Sequence, residues 1–465
     1  VFVPCGDYRL NSTFVMDSTT EPSNLTGEGE CSRILPGTTN MTLVAVCPEV
    51  TCTTVSTVPR PSVLIHRVRF EDDDAATHLA TVGLEIAYKR GVRITENVFL
   101  GFGAEALKIS GINNEVQVTG NIFKNWAQSV SSLTYAIDQN STGRRFGYYR
   151  NFFLQRGGTG FATGLAVRSG GILLRGGGNT VQIQSNSFDK FDGPGITSEE
   201  GENVFKVMVL GNYFDGLTHG SMDVIRLWDG MVRNNFVQSN QSNTTGCAID
   251  FGNANPVEGN IILTKSPCGI IATTIYNNWA QYTGGVFDEP IPANSGFLHS
   301  RNSQFQPGVT PASFAVSGNA ISGVGEAPSS NRTAIYADSL QADISNNRLV
   351  GGGAIRVVGS SDTVLELYRI SGNRWSSDPG IPCITIEAKG SESLESVILS
   401  DNQTRLCSDP LPELVLDTGT IVVDELACSM NARFSNGSTG AVQQWDCDST
   451  RAEVAAGITV GIGLP

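Results

Sequence analysis

Val118-Thr119-Gly120-Asn121-Ile122-Phe123 is one copy of a phrase that recurs a dozen times in this chain. An aliphatic strand residue leads, one or two small or polar residues follow, then Asn, then an apolar residue two places on. Ile94-Thr95-Glu96-Asn97-Val98-Phe99, Ile183-Gln184-Ser185-Asn186-Ser187-Phe188 and Val209-Leu210-Gly211-Asn212-Tyr213-Phe214 repeat it. So do Val232-Arg233-Asn234-Asn235-Phe236, Val257-Glu258-Gly259-Asn260-Ile261-Ile262 and Val316-Ser317-Gly318-Asn319-Ala320-Ile321. The last close copies are Ile344-Ser345-Asn346-Asn347-Arg348-Leu349 and Ile370-Ser371-Gly372-Asn373-Arg374-Trp375, with looser ones at Asn151, Asn278 and Asn402. The Asn-to-Asn steps are mostly 23 to 30 residues. A strand–turn–strand unit at such a period marks a solenoid.

Each copy alternates apolar and polar residues, the period-2 pattern of a strand. Asn or Gly at the break suits a left-handed backbone. Successive coils lie about 4.8 Å apart, so equivalent Asn side chains can hydrogen-bond in a column. Phe99, Phe123, Phe188, Phe214 and Phe236 are the expected interior stack. The expectation is an all-β, single-stranded right-handed parallel β-helix of roughly eleven to thirteen coils.

The pattern resembles the right-handed parallel β-helix superfamily, the pectin-lyase-like fold, over roughly Val63 to Asn402. Val1-Phe2-Val3-Pro4-Cys5-Gly6-Asp7-Tyr8 resembles the V-x-V-P-x-G-x-Y opening strand of such proteins, and Leu25-Thr26-Gly27-Glu28-Gly29 their L-x-G-x-G first-coil turn. The resemblance implies a signal peptide and a cap ahead of Val1. It organises the chain as a β-helix over 1–406, with an N-terminal opening strand and loops in 1–62, and a C-terminal capping segment over 407–465. The 52 Gly and 16% charged residues suit many turns and a long thin core.

Ten cysteines fall in neighbouring pairs: Cys5 with Cys31, Cys47 with Cys52, Cys247 with Cys268, Cys383 with Cys407, Cys428 with Cys447. An even count of this kind points to disulfides and an oxidising compartment, and no spacing suits zinc. Glycosylation sequons stand at Asn11, Asn24, Asn40, Asn140, Asn240, Asn243, Asn331, Asn402 and Asn436. Together these read as a secreted, extracellular or cell-surface glycoprotein. A net charge of −14 argues against nucleic acid as a partner and mildly against strongly anionic polysaccharides. No apolar run is long enough to span a bilayer.

A second strand follows most Asn turns, and its copies align rung on rung: Leu107-Lys108-Ile109-Ser110, Ile196-Thr197-Ser198-Glu199, Ile225-Arg226-Leu227-Trp228, Ile249-Asp250-Phe251-Gly252, Ile335-Tyr336-Ala337-Asp338, Ile355-Arg356-Val357-Val358 and Ile384-Thr385-Ile386-Glu387. First and third residues point inward, second and fourth outward. Arg226 and Asp250 are then expected as solvent-facing neighbours, with Glu199 a rung back and His219 and Asp223 on the preceding loop. These are the candidate catalytic residues: Arg226, Asp250, Glu199 and His219. Trp228, Tyr336 and Arg356 are the candidate substrate-binding residues, since an exposed aromatic plane stacks on sugar rings. The plain alternative is a surface ion pair worth under about 1 kcal/mol.

No cofactor is required by these residues. The run Glu71-Asp72-Asp73-Asp74 with His78 offers oxygen ligands that could take Ca²⁺, without the spacing of a dedicated loop. Two enzyme constellations known on this fold, the polygalacturonase set and the epimerase D-P-H-D, do not occur here. The first expectation is therefore a structural subunit of an extracellular coat, filament or appendage, partnered by itself end to end or by other matrix proteins. The tail Ile458-Thr459-Val460-Gly461-Ile462 is expected to add to a neighbour's open edge. The alternative is a polysaccharide lyase, glycoside hydrolase or epimerase on the outer face. A lectin-like surface without chemistry is a third reading.

Overall fold

The computed structural model describes residues 1–17, 22–47, 61–73, 80–127, 132–155, 169–190, 192–199, 204–217, 222–239, 246–252, 256–283, 295–300, 313–324, 332–339, 341–358, 367–376, 383–388, 394–405, 413–416, 422–429, 431–434, 442–445 and 459–460. The chain is a right-handed parallel β-helix. Strands are its regular elements, and no helix among the described residues is long and apolar enough to cross a membrane. It divides into two compact units, Val1–Ser239 and Asn240–Pro465.

Each coil of the first unit visits three parallel sheets in turn. In one coil, Arg90–Thr95 lies in sheet A, Val98–Leu100 in sheet B and Leu107–Gly111 in sheet C. The next coil lays Asn114–Thr119, Ile122–Lys124 and Thr134–Ser141 on these in register, so that Val92 meets Val116, Phe99 meets Phe123 and Ile109 meets Gln139. Sheet A of this unit has nine described strands and sheet A of the second unit has eight. That is more coils than the Asn phrase marks. The first coils, built from Phe2–Val3 through Met41–Cys47, pair in the same parallel register without the phrase.

The Asn column forms as the spacing requires. Asn97, Asn121, Asn151, Asn186, Asn212 and Asn235 are all buried. Each of the first five gives both its backbone N–H and its Nδ2 to the Oδ1 of the next, at 2.9–3.1 Å. Nδ2 also donates to a sheet A carbonyl, as from Asn121 to Ile94 O at 2.8 Å. The second unit carries its own column, from Asn260 through Asn278, Asn319, Asn347 and Asn373 to Asn402. The left-handed residue is the one before the ladder Asn, as at Gly120 (φ 66°), Glu96 (φ 56°) and Asn234 (φ 56°). This accounts for the frequent Gly-Asn pair: glycine takes the turn and Asn takes the ladder.

Two places after the ladder position, which is Asn except at Val68, rings stack through the interior of the first unit. Phe70, Phe99, Phe123, Phe153, Phe188 and Phe214 follow one another with centroids 4.6–4.9 Å apart and planes within 10°. Phe236 corrects the expectation. The ladder residue there is Asn235 rather than Asn234. The inward place therefore falls to Val237, and Phe236 turns outward to stack on Tyr213. One residue of register flips a side chain to the other face.

Two expected disulfides are described, Cys5–Cys31 and Cys247–Cys268, each between equivalent positions of neighbouring coils. Cys47 and Cys383 are also disulfide-bonded, while Cys52, Cys407 and Cys447 lie outside the described residues. In the segment expected as a cap, Glu413–Leu416, Val422–Ser429 and Asn431–Phe434 continue the parallel pairing, and Val442–Trp445 returns antiparallel on the last of these. Thr459–Val460 pairs with Val422–Val423 of its own unit. These two residues of the tail thus pair within their own chain, where the sequence suggested a neighbour's edge.

Candidate functional site

Sheet C of the first unit gathers a set of charged groups on one outer face. In register its outward columns run Glu85, Lys108, Asp138, Leu173, Thr197, Arg226, and beside them Ala87, Ser110, Asn140, Arg175. Asp138 is buried, and Arg175 grips it with two bonds, Nε to Oδ1 at 2.8 Å and Nη2 to Oδ2 at 2.5 Å. This is a charge-assisted fork, the strongest common form of the pair. The other Nη of Arg175 lies 3.9 Å from Oε2 of exposed Glu199. On the adjoining rungs Lys108 Nζ and Ser110 Oγ reach Glu85 Oε1 at 3.5 and 3.2 Å.

Burial shifts two neighbouring groups upward. Burial pushes the Glu105 carboxyl up, and the nearby Asp138 charge adds to that while Lys108 and Arg175 oppose it. Burial likewise raises the Tyr135 phenol to about 12, although its hydrogen bond with Thr197 and the charge of Arg226 pull the other way. The face thus sets Glu105, its carboxyl raised above the ordinary carboxylate value, near Asp138, and carboxyls in differing environments are the material of acid–base chemistry. Beneath it, Tyr148 donates its hydroxyl to Gln139 Oε1 at 2.7 Å inside the coil.

The sequence-based candidates divide on this framework. Glu199 and Arg226 belong to the cluster. Trp228 is half-buried and its backbone N–H donates to Ser198 Oγ at 3.0 Å. Asp223 is buried and His219 lies outside the described residues. Asp250 belongs to the second unit and is completely buried, so it is not the solvent-facing residue that alternation suggested. Tyr336 is corrected likewise: it is buried, with His299 edge-on at 4.8 Å and the Arg356 guanidinium 5.7 Å over its ring. His299 Nδ1 in turn meets Ser295 Oγ at 3.1 Å. This stretch of the second unit's outward column is therefore covered, with Arg356 alone of these three half-exposed.

Sequence reading passed over Glu105, Tyr135, Asp138 and Arg175. Two rungs hid them. In Ile137-Asp138-Gln139-Asn140 the third, inward place is a glutamine, and in Ile172-Leu173-Leu174-Arg175 an outward leucine breaks the alternation. The acidic run is engaged elsewhere. Glu71 Oε2 takes Arg33 Nε at 2.8 Å and Arg69 Nε at 2.7 Å, Asp72 Oδ2 takes the Ala80 amide at 2.8 Å, and Asp73 pairs with Arg9. Asp74 and His78 lie outside the described residues.

Of the sequons, Asn11, Asn24, Asn40 and Asn140 are exposed. Asn402 is buried in the ladder with Nδ2 bonded to Ile370 O at 2.8 Å, which leaves no acceptor nitrogen for a glycan in the folded chain. Asn240, Asn243, Asn331 and Asn436 lie outside the described residues.

No protein-family model matches the chain, and no curated protein matches it. Among solved structures it is similar to the N-terminal fragment of gene product 12 of bacteriophage phi29, at 8% identity over 96% of this chain and 91% of that one, with a TM-score of 0.52. A surface adhesin of Streptococcus pneumoniae, PfbA, aligns at 12% identity over 95% of this chain and 86% of that one, with a TM-score of 0.41. At 8% identity the likeness to the phi29 fragment is one of fold.

Proposed function

We propose that the chain is an extracellular structural β-helix, a disulfide-bonded and N-glycosylated subunit of a coat, filament or appendage. The observation that supports it best is covalent: disulfides join equivalent positions on neighbouring coils, as at Cys5–Cys31 and Cys247–Cys268. Such bridges persist in oxidising compartments. The exposed sequons at Asn11 and Asn24, between Cys5 and Cys31, fit the same setting. The partners this reading implies are further copies of the chain or other matrix proteins. Secretion from eukaryotic cells, glycopeptide mapping and negative-stain microscopy test it. The expected outcome is glycans at some of Asn11, Asn24, Asn40 and Asn140, none at Asn402, and ordered assemblies. Bare monomers at high concentration would overturn it.

One observation favours a second reading, an enzyme acting on a polysaccharide. Burial raises the Glu105 carboxyl and the nearby Asp138 charge adds to it, and a carboxyl raised in this way, working with a second carboxylate, is what glycosidic cleavage requires. Here Glu105 acts as general acid and Glu199 as base, while Arg175 holds Asp138 in place. Glu105→Gln is expected to abolish release of reducing ends from a susceptible glycan while leaving the melting temperature within a few degrees. Full turnover in that variant would remove Glu105 from the chemistry.

A further inference from the structure

The outer side of sheet B in the first unit carries a column whose members, in register, are Ile122, Phe152, Ser187, Tyr213 and Phe236. Tyr213 and Phe236 stack with centroids 4.9 Å apart and planes at 8°. The remaining face of Tyr213 looks along the column toward Ser187, and the residue is 43% exposed. Serine is too small to cover that face, and the next aromatic residue, half-buried Phe152, stands one rung beyond it. Two aromatic side chains therefore flank a serine floor, two rungs apart. Inside these same coils each rung is 4.6 Å, from Phe153 to Phe188 and from Phe188 to Phe214.

That width selects an occupant. Optimal carbon–carbon separations of about 3.5–4.0 Å on both sides leave more room than a flat ring fills. The thickness of a puckered pyranose takes up the difference. The rim selects further. Asp189 and Asp215, two residues after Ser187 and Tyr213, pair in register on the same outer side. Asp189 is largely covered, its Oδ1 buried without a hydrogen-bond partner and 4.0 Å from Lys190 Nζ. Asp215 Oδ2 has the Tyr213 hydroxyl at 3.5 Å. Carboxylates accept bonds from sugar hydroxyls and repel uronates, in keeping with the net charge of −14.

We propose that the slot over Ser187, between Phe152 and Tyr213, binds one neutral pyranose residue of a glycan chain, with Asp215 accepting from its hydroxyls. The slot goes beyond the structural reading and lies on a different sheet from Glu105, so the two stand or fall separately. The test uses the full secreted chain on an array of neutral gluco-, galacto- and manno-oligosaccharides, with uronate oligosaccharides as control. Binding to at least one neutral series is expected, weakened tenfold or more by Tyr213→Ala. Ser187→Phe fills the slot and completes the aromatic column. It is expected to remove binding while leaving the melting temperature equal or higher, a combination that mere misfolding does not give. Absence of neutral-glycan binding, undiminished binding by Ser187→Phe, or equal binding of uronates would overturn the proposal.

Discussion

A single position, the residue two places after the ladder asparagine, decides whether a side chain belongs to the core. Phe188 occupies it and is completely buried between Phe153 and Phe214. Phe236 follows Asn235 directly and lies outside. Truncating a buried phenylalanine costs about 3–5 kcal/mol, from lost transfer energy and the cavity left behind. Phe188→Ala is therefore expected to lower unfolding free energy in denaturant by that amount, and Phe236→Ala by about 1 kcal/mol or less. Equal losses at the two sites would show that the interior column is misassigned.

At the scale of strands, the period of the Asn phrase made the coil, the amide ladder and most of the ring stack legible in the sequence. Each depends on one local pattern repeated in register. The candidate face was less legible, because outward residues are free of the alternation that marks inward ones. Asp138 and Arg175 sit on rungs whose inward Gln139 and outward Leu173 spoil the pattern, and Asp250 and Tyr336 occupy outward places that are nonetheless buried. Alternation gives the direction of a side chain and says nothing about what covers it. The Asp138–Arg175 pair offers a test at this scale. Removing one partner of a buried ion pair costs about 3–5 kcal/mol, since the remaining charge is stranded. Arg175→Ala is expected to approach that loss, whereas Asp138→Asn with Arg175→Met together should recover much of it. A double variant no more stable than Arg175→Ala, followed by chemical denaturation, would show that the pair is not the source of the effect.

At the scale of the whole molecule, each of the two units stacks its coils through backbone pairing, an amide ladder and, in the first unit, a ring stack. The structural reading of its function draws on that construction, as do both sites placed on its outer faces. All of them assume that neighbouring coils lie parallel and in the register described. That assumption can be tested directly by cross-linking. Arg93 and Gln117 are exposed partners on adjacent coils of sheet A, and Thr119 lies two residues further along the same strand. A disulfide needs Cα atoms about 4.4–6.8 Å apart, and two residues along a strand add about 6.6 Å. Oxidation of Arg93→Cys/Gln117→Cys, mapped by mass spectrometry, is expected to give the 93–117 bridge nearly quantitatively, with little bridging in Arg93→Cys/Thr119→Cys. The reverse result, or equal bridging in both, would contradict the parallel coil and its register.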